Sequence, residues 1–465
     1  MTNKNKGLFE KNFVQSGPHL NKVKIFEDEL SKKYPEIKCI GIFGEWYDIT
    51  NFIDKHPGGY IILDYVGKDV TTIFKIWHKS SILTKAIESG YVIKTGKKYD
   101  LKIDKMDGEL LKLHNELIRD GYYKPNYIGY IPQILRILFS MIALFYCVKY
   151  FTEMYDNLYK LGFYGLFILF ILGLLMQTVW HQAGFVTHDA MHSIITTNSK
   201  WDHIIGLIFG NILFGVNSRH WNNNHNIHHI HTNTIDKNYY VSDPQAYEIA
   251  WMQNKHMINL KSKAFNSDNI LFNFIQTKIF IPFQAILWIP ICAFAGRIAI
   301  IFDSIINETN IIHIIAWCFQ YIIIYNIYYI HFKSNIDFII FITIAAMMAG
   351  LTLSLQLLVS HLDKPFNDKN TIINNNEWFR YQANVVKDIK NPVSFDWWFG
   401  GLNFHLVHHT LPRLPRIYYR KVNPLLKNIL KKHDIIIDTK TFFHGIWDIT
   451  INLSNVANQY IKRFN

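Results

Sequence analysis

Trp-Asn-Asn-Asn-His-Asn-Ile-His-His, residues 221–229, is the stretch that decides the fold and chemistry of this chain. Side chains three and four positions apart share one face of a helix. His225, His228 and His229 can therefore point at one place, which is metal-ligand spacing. Two further clusters repeat the pattern, and the predicted ligands are His188 and His192, then His225, His228 and His229, then His405, His408 and His409.

Eight imidazoles exceed the four ligands of a closed structural zinc site, so we predict two metal ions in one cage. Imidazole suits iron, zinc, copper and nickel. The clusters follow or precede apolar segments, which places the cage beside lipid. An oxidant for a hydrocarbon chain needs that position and a redox-inert metal does not, so an oxygen-activating di-iron site is the leading hypothesis. The alternative is that these histidines bond only to one another or to backbone carbonyls.

Four apolar segments predict membrane spans at 131–151, 161–184, 311–332 and 337–360. A span of a hydrocarbon core about 30 Å thick takes roughly 20 residues. A fifth stretch, 279–296, is interrupted by Pro282 and Pro290, and we expect it to be re-entrant or to lie in the interface. All three histidine clusters then lie on one side. The distribution of Lys and Arg predicts that this side is the cytosol.

Composition supports a membrane protein and argues against nucleic acid as a partner. The chain is 49% hydrophobic and carries a net charge of +12. Its basic residues are spread over tails and loops without forming a stripe, which favours attraction to anionic lipid headgroups. The N-terminal sequence is polar and lacks the apolar segment of a cleavable signal peptide, so the first span would act as the membrane anchor. We expect a multi-pass protein of the endoplasmic reticulum, with both termini and the active site in the cytosol.

The first hundred residues indicate a separate soluble unit. The run Gly-Glu-Trp-Tyr-Asp-Ile-Thr-Asn-Phe at 44–52 leads into His56 and Pro-Gly-Gly, and His78 follows twenty-two residues after His56. This combination resembles the cytochrome b5 haem-binding domain. The resemblance implies haem b with His56 and His78 as axial ligands, so the haem would only pass electrons. The alternative is a helix-end histidine and a surface histidine.

A b5-like unit followed by HxxxH, HxxHH and HxxHH resembles the front-end fatty acyl desaturases and the sphingolipid Δ8 desaturases. The resemblance implies a multi-span all-α membrane domain with a cytosolic histidine-cage cap, preceded by a small α+β haem domain. It also implies two iron ions and O2-dependent formation of a cis double bond. One departure is His405, where front-end enzymes usually carry glutamine, and this weakens any transfer of regiochemistry.

The resemblance adds a ninth candidate ligand, His361, which ends the last span; the alternative is an ordinary interfacial histidine. Metal-bound imidazoles need partners for their outer nitrogens, and the candidates are His181, His220, His231, Asp189, Asn226 and Asn233. The expected organisation is a tail at 1–18, the haem domain at 19–98, a polar linker at 99–128 that tethers it, and the desaturase domain at 129–465.

The expected partners are O2, an NADH-cytochrome b5 reductase, and an acyl chain on lipid or coenzyme A, or a ceramide. The leading hypothesis is a Δ5/Δ6-like front-end desaturase, and the main alternative is a sphingolipid long-chain-base Δ8 desaturase. A lipid hydroxylase, a non-catalytic haem carrier and a metal transporter fit the histidine boxes less well. The segment Pro412–Arg416 either holds a phosphate or carrier headgroup or is a basic interfacial loop. No sequence rule gives the position of the double bond.

Overall fold

The computed structural model describes residues 36–235, 242–244, 270–287 and 310–464. The N-terminal unit contains a three-stranded sheet in which β1 (Cys39–Ile42) and β3 (Ile93–Lys98) both pair antiparallel with β2 (Glu45–Asp48). All four residues of β1 are buried, as their apolar sequence requires. The helices α1 (Thr71–Trp77) and α2 (Ser81–Glu88) come between β2 and β3 in the chain.

The predicted linker at 99–128 contains a packed helix, α3 (Lys105–Arg119). Asp104 begins it by accepting hydrogen bonds from two backbone N–H groups of the first turn. Leucines and a methionine on one face are buried in the same core as side chains from the C-terminal part of the chain. The segment predicted as a polar linker therefore contains a packed helix, because its amphipathic spacing gives it a face to bury. The domain boundaries themselves stay a prediction.

The α-helices that follow are, in chain order, α4 (Ile131–Met154), α5 (Phe163–Met191), α6 (Ser199–Gly206), α7 (Ser218–His231), α8 (Ile270–Ile275), α9 (Ile281–Leu287), α10 (Ile311–Ile327), α11 (Asn335–Leu358), α12 (Lys369–Asn375), α13 (Trp378–Val385), α14 (Asp396–Phe399), α15 (His405–Thr410), α16 (Tyr419–Lys432) and α17 (Phe442–Phe464). A π-helix at Leu207–Phe214 continues α6. Two short parallel pairs join Thr234–Ile235 to Asn367–Asp368 and Asp388–Lys390 to Thr439–Thr441.

Four helical segments are long and apolar enough to cross a membrane: 127–154, 163–191, 311–331 and 335–358. The prediction of a multi-span α-helical domain behind a small α+β unit is confirmed. Of the stretch 279–296, residues 279–287 are described, and α9 packs against α17 with Ile281 in its core. Residues 288–296 and the tail at 1–18 lie outside the described residues.

The ends of the four spans that lie away from the histidine clusters meet in one place. The carboxylate of Asp337, at the start of α11, accepts hydrogen bonds from the backbone N–H groups of Leu158 (2.6 Å) and Tyr159 (2.9 Å). Lys333 pairs with Asp156 at 2.7 Å beside them. The connections 155–162 and 328–334 therefore lie together, and the histidine-bearing ends of α5 and α11 point the other way.

The N-terminal unit and the helix that follows it are each joined to the rest of the chain by a carboxylate. Asp64 lies 2.8 Å from Nε2 of His231 and 2.7 Å from Nζ of Lys369. Asp107 in α3 accepts hydrogen bonds from the backbone N–H groups of Trp378 and Phe379, which begin α13. The helix that follows the N-terminal unit thus caps a helix next to the histidine cluster.

Candidate metal centre

The three histidine boxes and His361 meet in one buried cluster. His188 lies in the last turn of α5 and His192 directly follows it, whereas α7 and α15 supply three histidines each. His361 stands three residues beyond the end of α11. All nine are at most 8% exposed. The structure therefore brings together every residue predicted for the cage.

Four imidazoles form the first group: His188, His192, His225 and His408. Nε2 of His225 lies 3.2 Å from Nε2 of His188 and 3.1 Å from Nε2 of His192. Nε2 of His408 lies 3.2 Å from that of His188. Nitrogens that bind one tetrahedral ion at about 2 Å lie roughly 3.3 Å apart. This group therefore fits one metal ion.

A second group contains His228, His361 and His409. His405 extends it, because its Nε2 lies 2.7 Å from Nε2 of His361. His229 lies between the groups, with its ring centre 4.2 Å from that of His409 and 4.4 Å from that of His408. Two adjoining groups fit two ions, as the number of ligands predicted.

For two of the imidazoles, the outer nitrogen is held by a backbone carbonyl, which leaves the inner nitrogen available. Nδ1 of His361 donates to the carbonyl oxygen of Val385 at 2.8 Å, and Nδ1 of His405 donates to that of Leu402 at 3.1 Å. Such a bond fixes the tautomer and leaves Nε2 free to bind a metal. His405 thus points into the cage like its neighbours, although the family pattern usually has glutamine there.

Two side chains that the sequence did not single out support the cage. Both carboxylate oxygens of Asp243 lie close to Nδ1 of His228, at 2.9 and 3.1 Å. Gln382, fully buried on α13, accepts from Nδ1 of His409 at 3.1 Å. Asp243 stands in a loop and Gln382 in a helix far along the chain, so no spacing rule connects either to a box.

Residues suggested as outer partners divide into two kinds. Asp189 lies 3.2 Å from Nδ1 of His188, and the side-chain amide of Asn233 donates to the backbone carbonyl of His361 at 3.0 Å. The remaining ones bond elsewhere: His181 to Gln356, His220 to Asn224, His231 to Asp64 and Asn226 to Asn222. His231 therefore belongs to the contact with the N-terminal unit.

The cage is suited to metal by its protonation as well as by its shape. Burial lowers the pKa of His225, His229 and His408 well below its usual value, so these imidazoles are neutral and retain a lone pair. Nδ1 of His229, Nδ1 of His408 and Nε2 of His409 are buried without a hydrogen-bond partner among the described residues. Unsatisfied buried nitrogens are costly, and a bound ion would satisfy those that face it.

His56 and His78 form a second, separate pair in the N-terminal unit. Their ring centres lie 6.2 Å apart, about the spacing that two imidazoles need to bind opposite sides of one ion at roughly 2 Å each. Nδ1 of His56 donates to the carbonyl of Gly59 at 3.1 Å, and Nδ1 of His78 to that of Phe74 at 3.2 Å. Gly58 is required here, because a Cβ would lie 2.8 Å from the His56 ring.

Trp77 fills the space between the two histidine sites. It directly precedes His78, and its ring centre lies 6.4 Å from that of His192 and 5.6 Å from that of His229. One side chain of the N-terminal unit therefore touches two of the three boxes.

Residues 162–441 match the family model described as Fatty acid desaturase, and residues 27–130 match that of the Cytochrome b5-like Heme/Steroid binding domain. The first match covers more than half of the chain. The chain belongs to the fatty acid desaturase family. It is a cytochrome b5-fusion desaturase, an oxidoreductase that acts on lipid acyl chains, and its cofactors are a haem and a di-iron centre.

Curated relatives match this desaturase over most of its length. An acyl-lipid (9-3)-desaturase of Borago officinalis is 25% identical over 90% of each chain. A delta(8)-fatty-acid desaturase of Helianthus annuus is 26% identical over 90% of this chain and 88% of its own. A delta 8-(E)-sphingolipid desaturase of Komagataella phaffii is 25% identical over 75% of this chain and 62% of its own.

Arg416 is the last residue of the segment 412–416, for which a headgroup site or a basic interfacial loop was predicted, and in the desaturase it is engaged by the protein itself. Its guanidinium pairs with buried Asp189 at 2.9 Å and donates to the carbonyl of Gly400 at 3.1 Å. Because Asp189 in turn contacts His188, the arginine helps to position the first box through this carboxylate.

A separate cluster of three carboxylates, Asp363, Asp438 and Asp448, surrounds a lysine. Nζ of Lys387 lies within 3.5 Å of all three, so this cation accounts for their proximity.

We expect Asp243→Asn to lower desaturation by about 10- to 100-fold, as loss of an outer partner of a metal-binding histidine does. An amide oxygen accepts from Nδ1 of His228 more weakly than a charged carboxylate does, so the orientation of the ring is less well fixed. Product formation and iron per chain are measured on purified protein. Asp120→Asn, which alters an exposed carboxylate beyond α3, is the control. Unchanged iron content and rate in Asp243→Asn would show that the carboxylate does not support the cage.

Proposed function

We propose that this desaturase acts at the front end of a lipid-linked acyl chain, in the Δ5/Δ6 manner. The observation that carries the proposal is the pair of histidine groups beyond the ends of two of the four apolar spans, α5 and α11, where an acyl chain can enter from the membrane. When bound, the iron pair supplies the oxidant for an unactivated methylene. The protein's part is to hold one pair of methylenes against it, so regioselectivity is geometric.

We further propose that all nine cage histidines bind the iron pair and that His56 and His78 bind the haem iron. Support comes from the convergence of the Nε2 atoms and from the spacing of the His56 and His78 rings. The proposed ligands of the cage are His188, His192, His225, His228, His229, His361, His405, His408 and His409.

Electrons are proposed to come from an NADH-cytochrome b5 reductase through the haem of the same chain. The position of Trp77 supports this, because the residue next to His78 contacts imidazoles of two boxes. The proposed location is the endoplasmic reticulum membrane with both termini and the cage in the cytosol, and the proposed domains are 19–98 for the haem and 129–465 for desaturation. Positive charge on the histidine-bearing segments supports that orientation.

Lipid profiling of yeast that expresses the chain tests the proposal. The cells are fed linoleic, α-linolenic and dihomo-γ-linolenic acids, and fatty acid methyl esters and sphingoid bases are analysed together. We expect a new cis double bond on the carboxyl side of an existing one. A Δ8-unsaturated long-chain base would instead establish the second candidate, which the similarity to a sphingolipid desaturase favours. A hydroxylated product would contradict both.

A further inference from the structure

The cavity that contains His56 and His78 is closed partly by the desaturase domain. It has a volume of about 910 Å³ and is lined by residues of both domains. The N-terminal unit supplies a largely apolar wall that includes Ile42, Phe52 and Val70. The desaturase domain adds a polar wall that includes Asn198, Asn222 and Arg413. Haem is likewise apolar on one side and polar on the other, because its ring is apolar and one edge of it carries two carboxylates.

The charges that line this cavity are all positive. Lys55, Lys79 and Lys85 come from the N-terminal unit and Arg413 from the desaturase domain, and the described lining contains no Asp or Glu. Lys79 donates to the backbone carbonyl of Thr197, so a hydrogen bond joins the two domains beside the cavity. A largely apolar cavity whose charged lining is cationic is complementary to an apolar dianion.

Arg413 differs from the other arginines of its segment. Arg416 pairs with Asp189 at 2.9 Å, and Arg420 pairs with Asp396 at 2.6 Å. Within the described part of the chain, Arg413 forms no ion pair, and its guanidinium donates at 3.4 Å only to the backbone carbonyl of Trp77. It is nevertheless mostly buried. A desolvated guanidinium is costly unless an anion pairs with it.

We propose that Arg413 binds the carboxylates of the haem, so that the desaturase domain supplies part of the haem site. The proposal rests on the binding of haem by His56 and His78. Its physical basis is that a guanidinium forms strong charge-assisted hydrogen bonds with carboxylates. Haem retention and haem potential then depend on the contact between the two domains, because Arg413 reaches the cavity only when they are together.

Arg413→Gln in the full-length holoprotein tests this. We expect haem transfer to excess apomyoglobin to be about tenfold faster or more, since charge-assisted hydrogen bonds to the haem carboxylates are lost. We also expect a lower haem reduction potential, because removal of a nearby positive charge favours the ferric state. Arg413→Lys keeps the charge and should recover most of the potential. Arg119→Gln removes an exposed arginine and is the control for net charge.

Haem dimethyl ester separates ligand binding from folding, because it tests the unmodified chain. Wild-type protein reconstituted with the ester should lose the ester faster than haem, and Arg413→Gln should show a smaller difference between the two. Equal loss of haem and ester from the wild type, or unchanged transfer and potential in Arg413→Gln, would overturn the role of Arg413 alone. Absence of a bis-imidazole haem spectrum from the wild type would overturn the haem ligands as well.

Discussion

His408→Ala is expected to lower desaturation by more than about 100-fold, beyond the range for an outer partner of a ligand. His408 belongs to two of the close groups of metal-binding side chains, one with His188, His192 and His225 and one with His229 and His409. Its removal therefore takes one of the four imidazoles from the first ion site and a neighbour from His229 and His409. Iron per chain should fall together with product, and both are measured on detergent-purified protein with reductase and NADH.

His444→Ala is the matched control, since His444 is an exposed histidine of the same domain. It should leave iron content and product unchanged. His408→Ala that still binds two iron ions and keeps wild-type turnover would show that the cluster is not the catalytic centre. The haem spectrum should be the same in both variants, because His408 contacts the cage and not His56 or His78.

His78→Ala is expected to abolish the bis-imidazole haem spectrum and to lower NADH-dependent desaturation by more than about 100-fold. The iron cage should keep its content, because His78 lies outside both groups of cage ligands. The haem spectrum and the activity are lost because one axial position of the haem iron loses its nitrogen ligand. Spectra, iron content and product are measured on the same preparation, with the reductase as the sole electron donor.

Separately added cytochrome b5 then distinguishes electron supply from misfolding. Partial recovery of product in His78→Ala would show that the cage is intact and that only the supply of electrons from the haem was lost. Wild-type rates without added cytochrome b5 and without haem would contradict the proposed relay. His114→Phe, at a buried histidine in α3 outside the haem cavity, is a control for loss of a histidine near the domain contact.

Local spacing predicted the cage well, and tertiary contacts explain what it missed. His225, His228 and His229 share a helical face, so their convergence follows from helix geometry alone. His361 required the resemblance, because it is a lone histidine after a span. Asp243 and Gln382 reach the imidazoles through a loop and a helix of distant sequence, and no periodic pattern marks either.

The arrangement of the two domains was the least predictable part. The polar composition of 99–128 predicted a linker, but four apolar side chains of α3 are buried in a core that the C-terminal part of the chain shares. Arg413 illustrates the same limit. A basic residue after the third box is ordinary in sequence, and only its position at the haem cavity distinguishes it from Arg416.

The packing of α3 has a practical consequence for chimaeras between relatives. An exchange of haem domains with a junction near Asn126 would import a foreign α3 and leave the leucine face of α3 unmatched to its partners. It would also replace Asp107, which caps the start of α13. A junction just before Asp104 keeps α3 with the domain into which it packs, so that position is the natural crossover point for recombination.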